Sequence, residues 1–478
     1  MIRPLEPIRT PEVPPLVRDR IEDLGTQIRN LAEEHARLES LAGVRTGDPS
    51  SLEILHGYVW VFVVAFLITL VITPVLRRLA IANGIVDRPD ETRKVHRLPV
   101  AYLGGVAVFL GLMGGILYSY VAAVQPGLID YHNTKHMVLG ESHPWVPTSI
   151  LLGMMIIMLV GLLDDVTGIS PRIKIAGQLI AAAALAADKV GVQVAKGILS
   201  PTLGELLGNR ALTYVMQIPT SVPFAGGESI TIDLIYWVGT AIIAVFVIGA
   251  CNASNLIDGL DGLLSGVTAI ATAGLLVIAL TLAAHDDGPR DAQRLVLCLA
   301  LLGACLGFLP HNFNPASIFL GDAGSLLLGY STVVIILTLG DTGKTPLVFA
   351  GLFIYAIPII DTTLAIIRRK LAGKSISDAD DQHLHHMFKR ALGVKLAVLS
   401  LYAIGCGFAL LGVAMSLGRA RITYVVALLF ASFIAVAAIK AARRKQLEDQ
   451  SLKAHATTRA DAPTAPPPQD AAKPPLRA

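Results

Sequence analysis

Long apolar runs separated by short polar stretches dominate residues 57–440. Eleven of them are long enough to cross a bilayer as helices: roughly 57–79, 103–123, 147–163, 173–188, 232–251, 263–284, 293–311, 325–340, 345–363, 393–417 and 421–438. The fourth and eighth are short, which implies tilt or cover by neighbours. None alternates as a membrane barrel strand would. The pattern predicts an all-α polytopic integral membrane helical bundle of about 11 transmembrane helices. The longest internal connection, 189–231, carries Pro201, Pro219 and Pro223 and is expected to hold a surface helix or strands.

Polar segments flank this transmembrane domain (57–440). The N-terminal extension, 1–56, is proline-rich to residue 15 and helical in pattern over 16–42. There Ile21, Leu24, Ile28, Leu31 and Leu38 occupy a and d positions of a short heptad run, interrupted by His35. Such a stripe suits a homodimer, the membrane surface, or an amphipathic helix with no partner, and periodicity leaves all three open. No cleavable signal pattern is visible, so the first span is expected to direct insertion. Residues 441–478 are rich in Pro and Ala and are expected to be a disordered cytoplasmic tail.

Composition agrees with the pattern. Charged residues make up 16% of the 478, against about 25% in soluble chains, and mean hydropathy is +0.62. The net charge of +3 is small, but its placement matters. Arg77, Arg78, Arg88, Arg93, Lys94 and Arg97 follow the first span, Arg172 and Lys174 the third, Arg368, Arg369, Lys370 and Lys374 the ninth, and Lys440, Arg443, Arg444 and Lys445 the eleventh. These share one side, predicted to be cytoplasmic, with the N-terminus outside and the C-terminus cytoplasmic. Arg290, Arg294, Arg419 and Arg421 on the other side run mildly against this, beside acidic Asp286, Asp287 and Asp341. The four cysteines have no ligand-like spacing, and nothing implies nucleic acid.

Five polar clusters fall on the predicted cytoplasmic side: Lys94-Val95-His96, Asp164-Asp165, Asn252 to Asp261, Asn314 to Ser325, and the histidines His383, His385 and His386. Solvated loops would not select one face so cleanly. Charge at the mouth of a membrane helix is costly unless it binds or reacts. Asp164 and Asp165 can hold a divalent ion, or one can act as base or nucleophile. Lys174 can meet a phosphate, or simply anchor the inner side. Asp322 between Gly321 and Gly324 suits a Mg2+-diphosphate, and Phe319 suits a planar base or buried packing. Zinc is not indicated at the histidines, because no cysteine is near and a diphosphate substrate explains them as donors. Asp361 is expected to cap or pair within the bundle. No G-x-x-x-x-G-K-[ST] sequence is present, so ATP hydrolysis is not suggested.

D-D at 164–165, N-x-x-N-L-I-D-G-L-D-G-L at 252–263, N-P-A-x-I-F-x-G-D-A-G-S at 314–325 and H-x-H-H at 383–386 occur in this order between spans. In this the chain resembles the polyprenyl-phosphate N-acetylhexosamine-1-phosphate transferases, glycosyltransferase family 4. It is closer to the bacterial undecaprenyl-phosphate GlcNAc-1-phosphate transferases than to the phospho-MurNAc-pentapeptide transferases. The resemblance implies an inner-membrane enzyme that moves N-acetylhexosamine 1-phosphate from a UDP-N-acetylhexosamine to undecaprenyl phosphate. UMP is released, and cell-surface polysaccharide synthesis begins. It implies Mg2+ or Mn2+, and a cleft facing the cytoplasm. Carried over by motif, Asp164 is the base or nucleophile and Asp165 assists it. Asp322, Asp164 and Asp261 are metal ligands. Asn252, Asn255, Asp258 and Asp261 shape the nucleotide and metal pocket, with Asp258, Asp261 and His383 among the catalytic groups. Phe319 lies near the uracil, and Lys94, His96, Lys174, His385 and His386 hold phosphates or acceptor. Ile376, Ser377 and Tyr102 depart from the family pattern. A lipid-linked sugar transporter or flippase is the competing class, but it would carry its polar groups to mid-bilayer near broken helices.

Overall fold

The computed structural model describes residues 26, 50–87, 100–125, 128–129, 145–217, 229–285, 288, 290–371, 373, 383–419 and most of 421–440. The chain divides into a unit of Met1–Ser50 and a unit of Ser51–Ala478. The heptad segment, Lys94, His96 and the tail lie outside the described residues.

The apolar runs become helices close to where the hydropathy pattern places them. They are α1 (Ser51–Ala82), α2 (Gly104–Val124), α3 (Thr148–Thr167), α4 (Pro171–Ala187), α5 (Leu234–Ile257), α6 (Leu263–Ala284), α7 (Asp291–Asn312) and α8 (Gly321–Thr338). After these come α9 (Thr345–Ile354), α10 (Ala356–Leu371), α11 (Leu384–Leu392) and α12 (Val394–Leu417). The protein is an all-α polytopic membrane bundle. Among the described residues, eight helices are long and apolar enough to span, or ten if two bent pairs each count once. That is fewer than the eleven expected.

The two bent pairs are the fourth and ninth expected spans, and the eleventh, 421–438, falls on residues described only in part. The ninth expected span is broken, with α9 and α10 meeting at 81°. Pro358 lacks an N–H and crowds the carbonyl of Ile354, so one helix cannot run through. The Tyr355 hydroxyl holds the corner, 2.5 Å from Ser254 Oγ on α5. The fourth span meets the 192–204 segment at 80°, turning at Gly191, whose φ is 82°. Beyond it, the 189–231 connection holds a helical elbow and a hairpin of strands Thr213–Gln217 and Ser229–Asp233.

α7 and α8 are the centre, with 83% and 89% of their best spanning windows buried. α7 packs on α1, α2 and α6, and α8 on α2, α3 and α5. Glycines bring two neighbours against the first turn of α8. A Cβ on Gly105 of α2 would lie 2.1 Å from Gly324 N, and one on Gly161 of α3 would lie 2.5 Å from the Ala323 backbone. Gly161 shares a face with Asp165 one turn on, so this approach carries the aspartate to the start of α8.

Candidate active site

The acid loop 258–262 joins α5 to α6 and is held from behind. Gly262 adopts a φ of 78°, a conformation that favours glycine. Its N–H donates to Asn312 Oδ1 (3.1 Å), which also accepts from Ser265 Oγ (3.0 Å). Asn312 Nδ2 donates to the Ile318 carbonyl (3.1 Å), and the Tyr402 hydroxyl donates to the Gly262 carbonyl. Asp261 Oδ2 accepts from Asn314 Nδ2 (2.8 Å) and from Ala316 N (3.0 Å). One amide and one acid thus fasten the acid loop to the loop that precedes α8. That second loop is pinned to residues 101–105, for Phe319 N donates to Ala101 O (2.8 Å) and Gly105 N to Leu320 O (2.8 Å).

The start of α8 is the meeting point. Asp165 accepts from Asp322 N (2.7 Å) and Ala323 N (3.0 Å), taking up amides that a helix start leaves without partners. Asp322 turns the other way. Its Oδ1 accepts from Asn255 Nδ2 (2.8 Å), and its Oδ2 lies 2.5 Å from Lys174 Nζ. The same ammonium lies 2.7 Å from Asp164 Oδ2, while Asp164 Oδ1 accepts from Ile169 N (3.0 Å). Lys174 therefore bridges α3 and α8 from the first turn of α4.

These elements wall a cavity of about 700 Å³. Asn255, Asp258, Asp261 and Asp322 line one side, Tyr102 and Phe319 another, and His386 and Lys389 of α11 a third. Tyr102 and Phe319 meet edge to face, ring centroids 6.2 Å apart. Asp258 differs from the other acids, with no hydrogen bond or ion pair to any described residue. Burial, with the charges of Asp322, Asp165 and Asp261, pushes its carboxyl up to about 8. His386 is pushed down to about 4 by burial and by neighbouring cationic groups, so it is neutral at neutral pH and Lys389 carries the charge of that wall.

The sequence-derived candidates do not all face this space. Asn255, Asp258, Asp261, Phe319, Asp322 and His386 line it. Asp164 and Lys174 connect to it through Asp322. Asp165 is spent on the α8 amides. Asn252 donates to Gln178 Oε1 (3.0 Å) and the Ile248 carbonyl (2.8 Å), tying α5 to α4 rather than lining the cavity. His383 and His385 are buried behind the wall, on Asp361. The motif reading passed over Asn312, Tyr402 and Lys389. Only Asn312 left a signal, an amide at the mouth of a span.

Comparison with known proteins agrees with this geometry. The family model for glycosyl transferase family 4 matches residues 147–340. A probable undecaprenyl-phosphate N-acetylglucosaminyl 1-phosphate transferase of Bacillus subtilis (strain 168) is 34% identical over 355 residues, covering 73% of this chain and 82% of that protein. A decaprenyl-phosphate N-acetylglucosaminephosphotransferase of Mycobacterium tuberculosis (strain ATCC 25618 / H37Rv) is 32% identical over 339 residues, 67% of this chain and 73% of the relative. A phospho-N-acetylmuramoyl-pentapeptide-transferase of Bacillus cytotoxicus is 29% identical over 364 residues, 73% and 95% of the two chains. The order of acids along the chain, their convergence at the mouth of a membrane bundle and these similarities have one reading: the chain belongs to glycosyl transferase family 4, the polyprenyl-phosphate N-acetylhexosamine-1-phosphate transferases.

Proposed function

We propose that the protein transfers N-acetylglucosamine 1-phosphate from UDP-N-acetylglucosamine to undecaprenyl phosphate. The products are undecaprenyl-diphospho-N-acetylglucosamine and UMP, and the step opens the synthesis of a cell-surface polysaccharide. The site lies at the cytoplasmic face of the inner membrane. The observation that carries this reading is the convergence of five carboxylates, Asp164, Asp165, Asp258, Asp261 and Asp322, beside one cavity in an apolar bundle, with Lys174 bridging Asp164 and Asp322. A prenyl chain stays in lipid and a nucleotide sugar in water, so their phosphates can meet only at such a mouth.

In the reaction, an oxygen of the lipid phosphate attacks the phosphorus that carries the sugar. A new P–O–P link forms, and the bond from that phosphorus to the UMP oxygen breaks. Lys174 receives the acceptor phosphate. An anion arriving there competes with Asp164 for the ammonium and frees that carboxylate to take the acceptor's proton. Phe319 and Tyr102 offer an aromatic wall to the uracil. Lys389, with neutral His386, faces the donor phosphates and sugar. Lys94 and His96 would add phosphate contacts from outside the described residues.

A divalent cation fits the donor set. Asp258, Asp261 and Asp322 present hard oxygens, as Mg2+ or Mn2+ requires, and Asp258 has no other described partner to compensate its charge. These three residues would hold the ion, which supplies charge neutralisation on the donor diphosphate and the leaving UMP. The test is UMP release by purified protein with undecaprenyl phosphate, Mg2+ and a panel of UDP-sugars, beside Asp164→Asn and Asp322→Asn. Lipid-dependent release with UDP-GlcNAc, lost in both variants, is the expected result. No release with any donor from folded protein would discard the reading in favour of a transporter.

A further inference from the structure

Asp361 is 1% exposed on α10, beyond the corner at Tyr355, and does not reach the cavity. All of its described contacts go to the start of α11. Oδ1 accepts from Leu384 N at 2.7 Å. Oδ2 lies 3.1 Å from His383 Nδ1 and 3.5 Å from His385 Nδ1. α11 needs this help. Its N-cap residue His383 makes no side-chain capping bond, and its first amides would otherwise lack an acceptor. A carboxylate from another helix thus caps α11 and complements its dipole.

The consequence reaches the cavity in two ways. His386 and Lys389 are three residues apart, so they share a face of α11, and both line the cavity. Fixing the helix start fixes where that face points. His385 lies on the inner side with its ring tip against the acid loop. A Cβ on Gly259 would lie 2.4 Å from His385 Nε2, and Gly259 separates Asp258 from Leu260 and Asp261. The buried carboxylate therefore holds both the basic wall and the ring on which the acid loop rests.

We infer that Asp361 is a positioning residue that caps α11 through Leu384 and His383, sets the His386–Lys389 face against the carboxylates, and so determines donor binding. The kinetic part of this inference rests on the proposed function, whereas the capping part does not. The same three side chains bring ligand atoms within 4.8 Å of one another, a spacing that a transition metal also accepts. Both oxygens of Asp361 already meet donors of α11 or its cap residue, Leu384 N and His383 Nδ1, in hydrogen bonds, while His385 Nδ1 stands 3.5 Å off without one.

The experiment compares Asp361→Ala, Asp361→Glu and Lys389→Ala with the unaltered full-length protein. Backbone amide exchange is followed over residues 383–392, and steady-state kinetics are measured with UDP-GlcNAc and undecaprenyl phosphate. Asp361→Ala should speed exchange at the start of α11 by about tenfold or more, and raise KM for the donor about tenfold with kcat and acceptor KM little changed. Asp361→Glu should recover most of that loss, and Asp361→Ala should add less than about twofold in a Lys389→Ala background. A purely structural role would instead lower the folded fraction and leave both KM values alone. Unchanged exchange, a loss confined to kcat, or stoichiometric zinc in the purified protein would overturn the inference. An inactive unaltered enzyme would sink the proposed function, and the exchange result alone would then decide the capping role.

Discussion

At one end of the α7–α8 pair, Arg294 is wholly buried, with Nη1 2.5 Å from Asp291 Oδ1 and Nε 3.1 Å from the Thr338 carbonyl. Beside it Arg290 pairs with Asp341, whose other oxygen accepts from Gly191 N at 2.9 Å. Two cations meet two acids. At the other end, about 27 Å away along α7, Lys174 pairs with two of five carboxylates, and Asp258 has no described partner. Buried charge is tolerated in the first cluster because it is balanced there. In the second the acids outnumber the cation that pairs with them, an imbalance that the divalent cation proposed above would offset. The first cluster also explains two basic residues on the side opposite the predicted cytoplasmic one. Arg290 and Arg294 serve internal pairs, so they say little about orientation.

The largest effect expected from this contrast is on stability at the balanced end. Arg294→Ala leaves Asp291 buried without its ion pair and should cost about 3–5 kcal/mol. The double change Arg294→Met with Asp291→Leu should cost much less, because no buried charge remains. Thermal unfolding in detergent, scored with activity per folded molecule, separates the two. Equal losses from the single and double changes would mean that packing, not charge balance, governs this end.

The opposite response is expected at the unbalanced end. Asp322→Asn removes a charge from a crowded group and should leave the melting temperature unchanged or higher. It should lower turnover by roughly 10²–10³-fold, the size of effect found when one group that stabilises a transition state is lost. A fall in stability comparable with that of Arg294→Ala would make Asp322 a structural residue and erase the contrast.

Most of the bundle was legible from hydropathy, because a bilayer imposes length and apolarity on any helix that crosses it. The break at Tyr355 was missed although Pro358 marks it, since a hydropathy window averages over a proline. The acids were legible as motifs, but their division of labour was not. Asp164 and Asp165 are adjacent in sequence, yet one meets Lys174 and the other caps α8. That outcome depends on how closely α3 approaches α8, which Gly161 permits and no local pattern reveals. Asn252 and Asn255 divide in the same way, one facing α4 and the other Asp322. Gly161→Ala tests this directly. Its added Cβ would lie 2.5 Å from Ala323, so α3 must retreat, at about 1–3 kcal/mol. Activity should fall by more than the folded fraction does, since Asp165 and Asp164 move together. Unchanged activity would show that the approach of α3 is not what orders the acids.

A change of stability with pH isolates the acid that has no partner among the described residues. Asp258 titrates at about 8 in the folded protein because of burial and its acidic neighbours, and in the ordinary carboxylate range when unfolded. Between about pH 4 and 8 the folded state therefore binds more protons than the unfolded one. Metal-free protein should lose stability as pH rises through that window and level off above it. Asp258→Asn has no such proton, so its curve should be flatter by that amount. A divalent cation prefers the ionised carboxylate, so the stabilisation by excess Mg2+ should grow with pH towards 8 and shrink in the variant. Melting temperatures across pH in EDTA and in Mg2+, for both proteins, give the four curves needed. If the metal-free curves run parallel, Asp258 is already compensated and the imbalance lies with Asp261 or Asp322. If only the Mg2+ increments coincide, the acid is unpaired but the ion is held elsewhere.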